Sequence, residues 1–352
     1  MYKPITRILR ITLGLTLLAW VLSRADWREL ATLLQQIHLG WLAAFAITTP
    51  ITVALSVWKW KLLLHPLGHH PRFSTLFGLY ILSQFYNNLF PSSVGGDAVR
   101  AVMLGKRINA YQQALASIIV ERFLGLTVLV ALGLIAIALA SPLRQHPPLL
   151  TLTLAGLGLY SLVTIIIFDP RLLQLTRRLT HRFRVTHKPL DKLHRFQQSL
   201  RDYRRHRTAI VKALLLSLAF HLGTIVNVYL ACRALGEPVP WWPIALITPI
   251  ALIVTMLPIS FNGVGVREWT FMVGFQLLGL SPTLGVAASL LVRFKQLLWS
   301  SLGLLVHLTL PTTAYPSPPP PRSPRCPTVG PPDPAPPKNP STFSTKGSTH
   351  AG

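Results

Sequence analysis

The stretch Pro91-Ser92-Ser93-Val94-Gly95-Gly96-Asp97-Ala98-Val99-Arg100 returns later in the chain as Pro258-Ile259-Ser260-Phe261-Asn262-Gly263-Val264-Gly265-Val266-Arg267. In each copy Ser follows the Pro by two, Gly by five, Val by eight and Arg by nine. Both copies interrupt apolar sequence, where breakers and charges are expensive. A paired break in the two halves of a membrane protein points to a transport site.

The surrounding composition fits a membrane setting. The chain has 352 residues, 51% of them hydrophobic, and ten acids against 34 Lys plus Arg. Its apolar runs suffice for a polytopic membrane protein and leave no room for a soluble catalytic domain. The net charge of +24 invites a nucleic-acid reading. The basic residues instead cluster in hydrophilic connections beside apolar spans, as topology and anionic lipid both favour, so no nucleic-acid partner is expected. Cys232 and Cys326, one in an apolar run and one in a Pro-rich tail, form no disulfide framework. Lys3, Arg7 and Arg10 precede an apolar stretch to Leu22, and Ser23-Arg24-Ala25-Asp26 is a poor cleavage site, which predicts an uncleaved first span.

Full spans are expected at about 5–22, 41–64, 113–140, 149–168, 209–235 and 284–310. The regions 73–104 and 241–281 each carry one copy of the motif. The connection 169–209 is polar, and from Arg171 to Lys212 the chain holds thirteen Lys or Arg and two Asp. With the N-terminus inside, a full crossing by 73–90 would place that connection outside, against the positive-inside tendency. If 73–104 enters and leaves on one side, the connection stays cytoplasmic, and the outside loops carry only Arg24, Arg28 and Arg144. The same parity makes 241–281 re-enter from the opposite face. The expected fold is therefore all-α and polytopic, with about six full spans plus two re-entrant broken-helix hairpins forming an inverted repeat. Two full helices in either region would satisfy similar bookkeeping. Residues 1–310 are read as the membrane domain. Residues 311–352, with fourteen prolines, are read as a disordered cytoplasmic tail.

The chemistry is expected at the breaks. Pro91 tends to end the helix that carries Asn88, and Gly95 and Gly96 permit a turn. Asp97 is placed to cap a new helix, whose free amides and partial positive charge suit a phosphate. Arg100 adds a guanidinium fork. In the second copy Pro258, Asn262, Gly263 and Gly265 supply the break, and Arg267 matches Arg100. The acids fall out of step, Asp97 lying six residues after its Pro and Glu268 ten after. A pair of ordinary interfacial loops is the competing reading. Glu121 and Arg122 near the start of a span, and Arg293 and Lys295 within the last one, also interrupt apolar runs. An unpaired charge at mid-bilayer costs roughly 2.5–3.5 kcal/mol, so a Glu121–Arg293 pair is one expected solution, and interfacial snorkelling of Glu121 and Arg122 another. Arg293 and Lys295 are expected to face a cavity. His221 is read as a packing or hydrogen-bonding residue and Trp241-Trp242 as an interfacial belt. No Walker loop, nucleophile elbow or metal-ligand spacing is present, so no cofactor and no metal are expected.

In this order the motifs resemble the flippase-like membrane domain of lysylphosphatidylglycerol synthases: Asn88-Leu89-Phe90-Pro91 through Gly95-Gly96-Asp97-Ala98-Val99-Arg100, then Glu121-Arg122-Phe123-Leu124-Gly125, then Pro258 through Asn262-Gly263-Val264-Gly265-Val266-Arg267-Glu268. The resemblance covers roughly residues 5–310. That family includes stand-alone bacterial and archaeal members, some associated with hopanoid or glycolipid pathways. The resemblance implies a multi-pass protein of the bacterial cytoplasmic (inner) membrane, both termini cytoplasmic, that moves or handles a lipid with a polar headgroup. The synthases' soluble aminoacyl-transfer domain is replaced here by the Pro-rich tail, so no enzyme activity of that kind is expected. The family pattern more often has Gly-Glu where this chain has Gly96-Asp97, a shorter carboxylate of the same charge. A lipid flippase or transporter for an anionic or phosphate-bearing headgroup is the leading expectation. A membrane-embedded transferase using Asp97, Glu121 or Glu268 as general base is a second. A non-transporting accessory subunit, docking lipid- or envelope-pathway enzymes through 169–209, is a third. In each case membrane lipids are partners, and the basic 169–209 connection is expected to touch the anionic cytoplasmic leaflet.

Overall fold

The computed structural model describes residues 3–89, 95–168, 203, 206–257 and 259–309. Pro91, Pro258, most of the basic connection and the Pro-rich tail lie outside the described residues. The described chain is all helical. In order it forms α1 (Lys3–Arg24), α2 (Trp27–Gln35), α3 (Leu39–Leu64), α4 (Phe73–Leu89), α5 (Gly95–Ile108), α6 (Tyr111–Leu139), α7 (Ser141–Arg144), α8 (Pro147–Phe168), α9 (Arg207–Ala234), α10 (Trp241–Met256), α11 (Val266–Leu277) and α12 (Pro282–Thr309). Short 3-10 turns follow α3 (His65–Leu67) and precede α11 (Phe261–Gly263).

Among the described residues four helices are long and apolar enough to cross a bilayer: α3 with its 3-10 turn, α6, α9 and α12. Six were expected. The apolar parts described in α1 and α8 are shorter, Ile11–Arg24 and Pro147–Leu162. Leu134, Ile135, Leu154, Leu215, Val226 and Leu297 are large apolar residues left exposed on these helices, as lipid contact requires. The 27–35 helix, α2, was not anticipated. Asp26 starts it by accepting from the amides of Arg28 (2.8 Å) and Glu29 (3.3 Å).

Both interrupted regions are pairs of short helices that fold back on themselves. After the first break Gly96 lies against Ser83 and Asn87 of α4, and its amide donates to Asn87 Oδ1 at 2.8 Å. In the second, Gly263 lies against Thr255 and Gly274 against Ile247, so α11 retraces α10 in the opposite direction. At 1.5 Å per residue the four arms measure roughly 18–25 Å, short of a hydrocarbon core of about 30 Å.

The two halves repeat one arrangement: long helix, hairpin, long helix. Helix starts at 39 and 73 recur at 207 and 241, each 168 residues on, and the start at 111 recurs at 282, 171 residues on. The equivalent helices α3 and α9 pack directly and run antiparallel, since Thr48 meets Asn227 while Thr52 meets Gly223. The halves are therefore inverted relative to each other. Their hairpins are also exchanged. Gly303 of α12 packs on Phe85 of α4, and Gly133 of α6 packs on Ile253 of α10. Phe85 and Ile253 are themselves 168 residues apart. Each hairpin is thus held by the long helix that follows the other one, which binds the repeats into one body.

Candidate functional site

Two acid–arginine pairs sit beside the breaks. Asp97 is the third residue of α5 and Glu268 the third of α11. Arg122 grips Asp97 through Nε to Oδ2 (2.8 Å) and Nη2 to Oδ1 (3.0 Å). Arg293 grips Glu268 through Nε to Oε1 (3.0 Å) and also donates Nη2 to the Gly263 carbonyl (3.2 Å). Each arginine follows its acid by 25 residues and stands eleven residues beyond the start of its long helix. Counting from the Pro put the acids out of step. Counting from the helix start puts them in register, because the second break is longer.

The pairs differ in exposure. The Arg122 side chain is 50% exposed and that of Arg293 19%. Around Glu268 the enclosure is tight. Its Oε2 accepts the Gly265 amide at 2.8 Å, the reach-back of an acid in a first helical turn, and Ser289 Oγ donates to Oε1 at 3.3 Å. Arg267 lies beside it, Nε 3.7 Å from Oε1, and donates to Gln296 Oε1 and the Ser289 carbonyl, each at 3.1 Å.

Several expectations are corrected here. Asp97 does not cap α5, because both its oxygens face arginines. Glu121 does not pair with Arg293. Its partners are Arg100 Nη1 at 2.9 Å and Lys59 Nζ at 4.0 Å, while Arg293 is taken by Glu268. Interfacial snorkelling of Glu121 is overturned too, because its side chain is 3% exposed. Arg100 is not open to a headgroup. It is 1% exposed, stacked 4.8 Å from the Trp60 ring and 5.0 Å from the Tyr80 ring, with its Nε 3.2 Å from Asp97 Oδ1. It does not play the part of Arg267, although both follow their prolines by nine. Lys295 is 6% exposed, its Nζ held by residues of α3 and α9. His221 does pack as a cross-link, its Nε2 3.0 Å from the Gly125 carbonyl.

The breaks meet. Asn262, at φ 48°, donates Nδ2 to Asn88 Oδ1 at 3.2 Å, and Asn88 Nδ2 donates to Ser300 Oγ at 2.6 Å. Gly263 and Gly265 stand at φ 69° and 80° on either side of the extended Val264, positive values that glycine adopts freely. Gly265 also lets the Gly14 carbonyl of α1 approach, where any Cβ would collide. Lys59, Ser289, Gln296 and Asn227 complete these networks and were not singled out from sequence. Lys59 carried a signal, a charge in an apolar run, but it sits in Trp58-Lys59-Trp60-Lys61, which reads as a snorkelling interface.

Two half-length hairpins thus meet between long apolar helices. Residues 7–303 match the model of the lysylphosphatidylglycerol synthase TM region. The chain belongs to that family. It is a multi-pass membrane protein, as the family and its apolar helices require. A UPF0104 membrane protein of Methanothermobacter thermautotrophicus (strain Delta H) is 26% identical over 269 residues, which cover 69% of this chain and 77% of the relative. A UPF0104 membrane protein of Methanocaldococcus jannaschii is 26% identical over 283 residues, which cover 76% and 83%. No solved structure matches the chain significantly.

Proposed function

We propose that this family member is a lipid transporter, or flippase, that passes a phosphate-bearing headgroup between its two hairpin tips. One observation carries the reading. The two acid–arginine pairs stand beside breaks that touch through Asn88 and Asn262. Two ion-pair clusters flank them, Lys59, Arg100 and Arg122 with Asp97 and Glu121 on one side and Arg267 and Arg293 with Glu268 on the other. The excess is positive. In a medium of low dielectric such an excess favours an anion over water or a neutral solute. Eleven residues of helix span about 16 Å, which sets Arg122 and Arg293 near half of a core about 30 Å thick when α6 and α12 begin at its edges.

The geometry suggests how a headgroup would pass. A phosphate oxygen would engage the free edge of half-exposed Arg122, which already holds Asp97. Parting of the Asn88–Asn262 contact would then offer the anion to Arg267 and Arg293 while the acyl chains stay in lipid. Inversion of the repeats gives each leaflet an equivalent entrance. As part of this proposal the termini and the basic connection are cytoplasmic, the latter against anionic lipid.

The test is reconstitution of the full chain in phosphatidylcholine vesicles holding labelled anionic, zwitterionic and neutral lipids. The anionic phosphodiester should exchange leaflets faster than in protein-free vesicles, and Arg122→Ala with Arg293→Ala should abolish the gain. Exchange no faster than in the controls for every lipid class sinks the reading.

A further inference from the structure

Lys295 lies midway along α12 and is absent from the site above. Its Nζ donates to the Phe45 carbonyl at 2.6 Å, to Thr48 Oγ1 at 2.8 Å and to Asn227 Oδ1, and it stands 3.5 Å from the centroid of the Phe45 ring. No carboxylate reaches it among the described residues. Its contrast is Lys59, which has Glu121. Among the described residues, the surrounding helices bring no other charge to bear. On α12 itself Arg293 turns to Glu268, and Arg267 and Glu268 of α11 stay with that pair. On α9 His221 binds the Gly125 carbonyl and Arg233 stacks on Trp41. Helix α4 has no acid or base beyond Tyr80 and Tyr86, and Arg28 and Glu29 of α2 lie at the far end, where Glu29 accepts from Ser281.

The neighbours of Lys295 suit both of its protonation states. An ammonium needs three acceptors, which the carbonyl, the hydroxyl and the amide oxygen supply. A neutral amine needs one donor, which the Thr48 hydroxyl supplies by rotating or Asn227 by turning over its amide. The location matters equally. Phe45 and Thr48 belong to the first repeat, and Asn227 and Lys295 to the second. Any rocking of one repeat on the other draws two of the three acceptors away from Nζ.

We propose that Lys295 carries the proton that couples headgroup movement to a transmembrane pH difference; this rests on the transport reading above. With the repeats in the arrangement described, the ammonium is fully bonded and its charge favours an anion in the neighbouring site. When α3 moves, the stranded ammonium passes its proton to water. The Nζ–H bond breaks, its electron pair stays on nitrogen, and hydronium forms. To reset, the neutral amine takes a proton from hydronium at the opposite face; its lone pair forms the new N–H bond and water is left. One proton thus travels with one singly charged headgroup, in the same direction.

The experiment uses the full chain in vesicles with an imposed pH difference and a labelled phosphodiester lipid, whose headgroup has no second proton to lose near neutrality. In the wild type the label should gather in the leaflet on the alkaline side, up to about tenfold per pH unit, the limit for one proton per lipid. Lys295→Gln should let the leaflets equalise whatever the gradient. Asn227→Asp keeps the brace but adds a counter-ion that holds the proton, and should also remove the asymmetry. The proposal is overturned if the wild type exchanges lipid with leaflets indifferent to pH, or if either variant keeps the pH-driven asymmetry. A wild type that exchanges no lipid at all overturns the transport reading and this one with it.

Discussion

Asn262 Nδ2 reaches Asn88 Oδ1 across 3.2 Å, joining two chain breaks 174 residues apart. Neither amide is enclosed, and Asn262 is exposed. A neutral hydrogen bond of this kind nets only about 1 kcal/mol. It is strong enough to set a resting position and weak enough to open. Transport through the tips requires that it open.

Pinning it should stop the cycle. Asn88→Cys with Asn262→Cys, in a Cys326→Ser background, should form a disulfide under mild oxidation. Lipid exchange should then fall at least about tenfold and return on reduction. A cross-link confirmed by mass spectrometry that leaves exchange unchanged would refute passage between the tips.

Arg122 and Arg293 occupy equivalent places but differ in what their loss exposes. Arg293→Ala leaves the fully enclosed Glu268 with only the more distant Arg267, whose Nε stands 3.7 Å away, and breaking a buried pair costs up to about 3–5 kcal/mol. Arg122→Ala leaves Asp97 with Arg100, whose Nε stands 3.2 Å from Oδ1, and removes an arginine that is half-exposed, so its loss costs less. Thermal unfolding in detergent should therefore drop far more for Arg293→Ala. Anionic lipid exchange should fall for both, and equal unfolding temperatures would contradict the assigned enclosure.

Arg100 is framework, so its change should act on stability. Arg100→Lys keeps the charge but loses the planar stack on Trp60 and Tyr80, a loss of about 2 kcal/mol. The unfolding temperature should fall, while the lipid concentration giving half-maximal exchange stays put. A raised half-maximal concentration with unchanged stability would return Arg100 to the headgroup site.

The glycines separate packing from propensity. At Gly96 a methyl group would overlap the Ser83 carbonyl, a backbone atom that cannot yield, so Gly96→Ala should destabilise by about 1–3 kcal/mol. At Gly40 a Cβ meets nothing within 4 Å, so Gly40→Ala should stabilise the start of α3 by up to about 1 kcal/mol. Paired thermal melts decide it, and a neutral Gly96→Ala would mean the hairpin is looser than described.

The breaks were legible because Pro, Gly and charge stand out against apolar sequence. Helix limits at 73, 241 and near 110 and 282 followed from the same contrast. Pairing was another matter. The motif aligned Arg100 with Arg267 by linear spacing, yet space aligns Asp97 with Glu268 and Arg122 with Arg293. A one-dimensional count cannot see that the second break is longer, nor that α5 begins at Gly95 while α11 begins at Val266. Lys59 and Asn227 occupy equivalent places 168 residues apart, but as different residue types they leave no repeat in the sequence. The partners of Glu121 come from α3 and α5 and those of Lys295 from α3 and α9, and only packing decides them.

Helix α1 is seated on a surface the ribosome has not yet made. Its Gly14 fits beneath Gly265, 251 residues downstream. At about 5–20 residues per second that surface emerges on the order of 10–50 s later. Until then α1 must wait with the face around Gly14 uncovered. Assembly therefore closes α1 onto a seat made long after it.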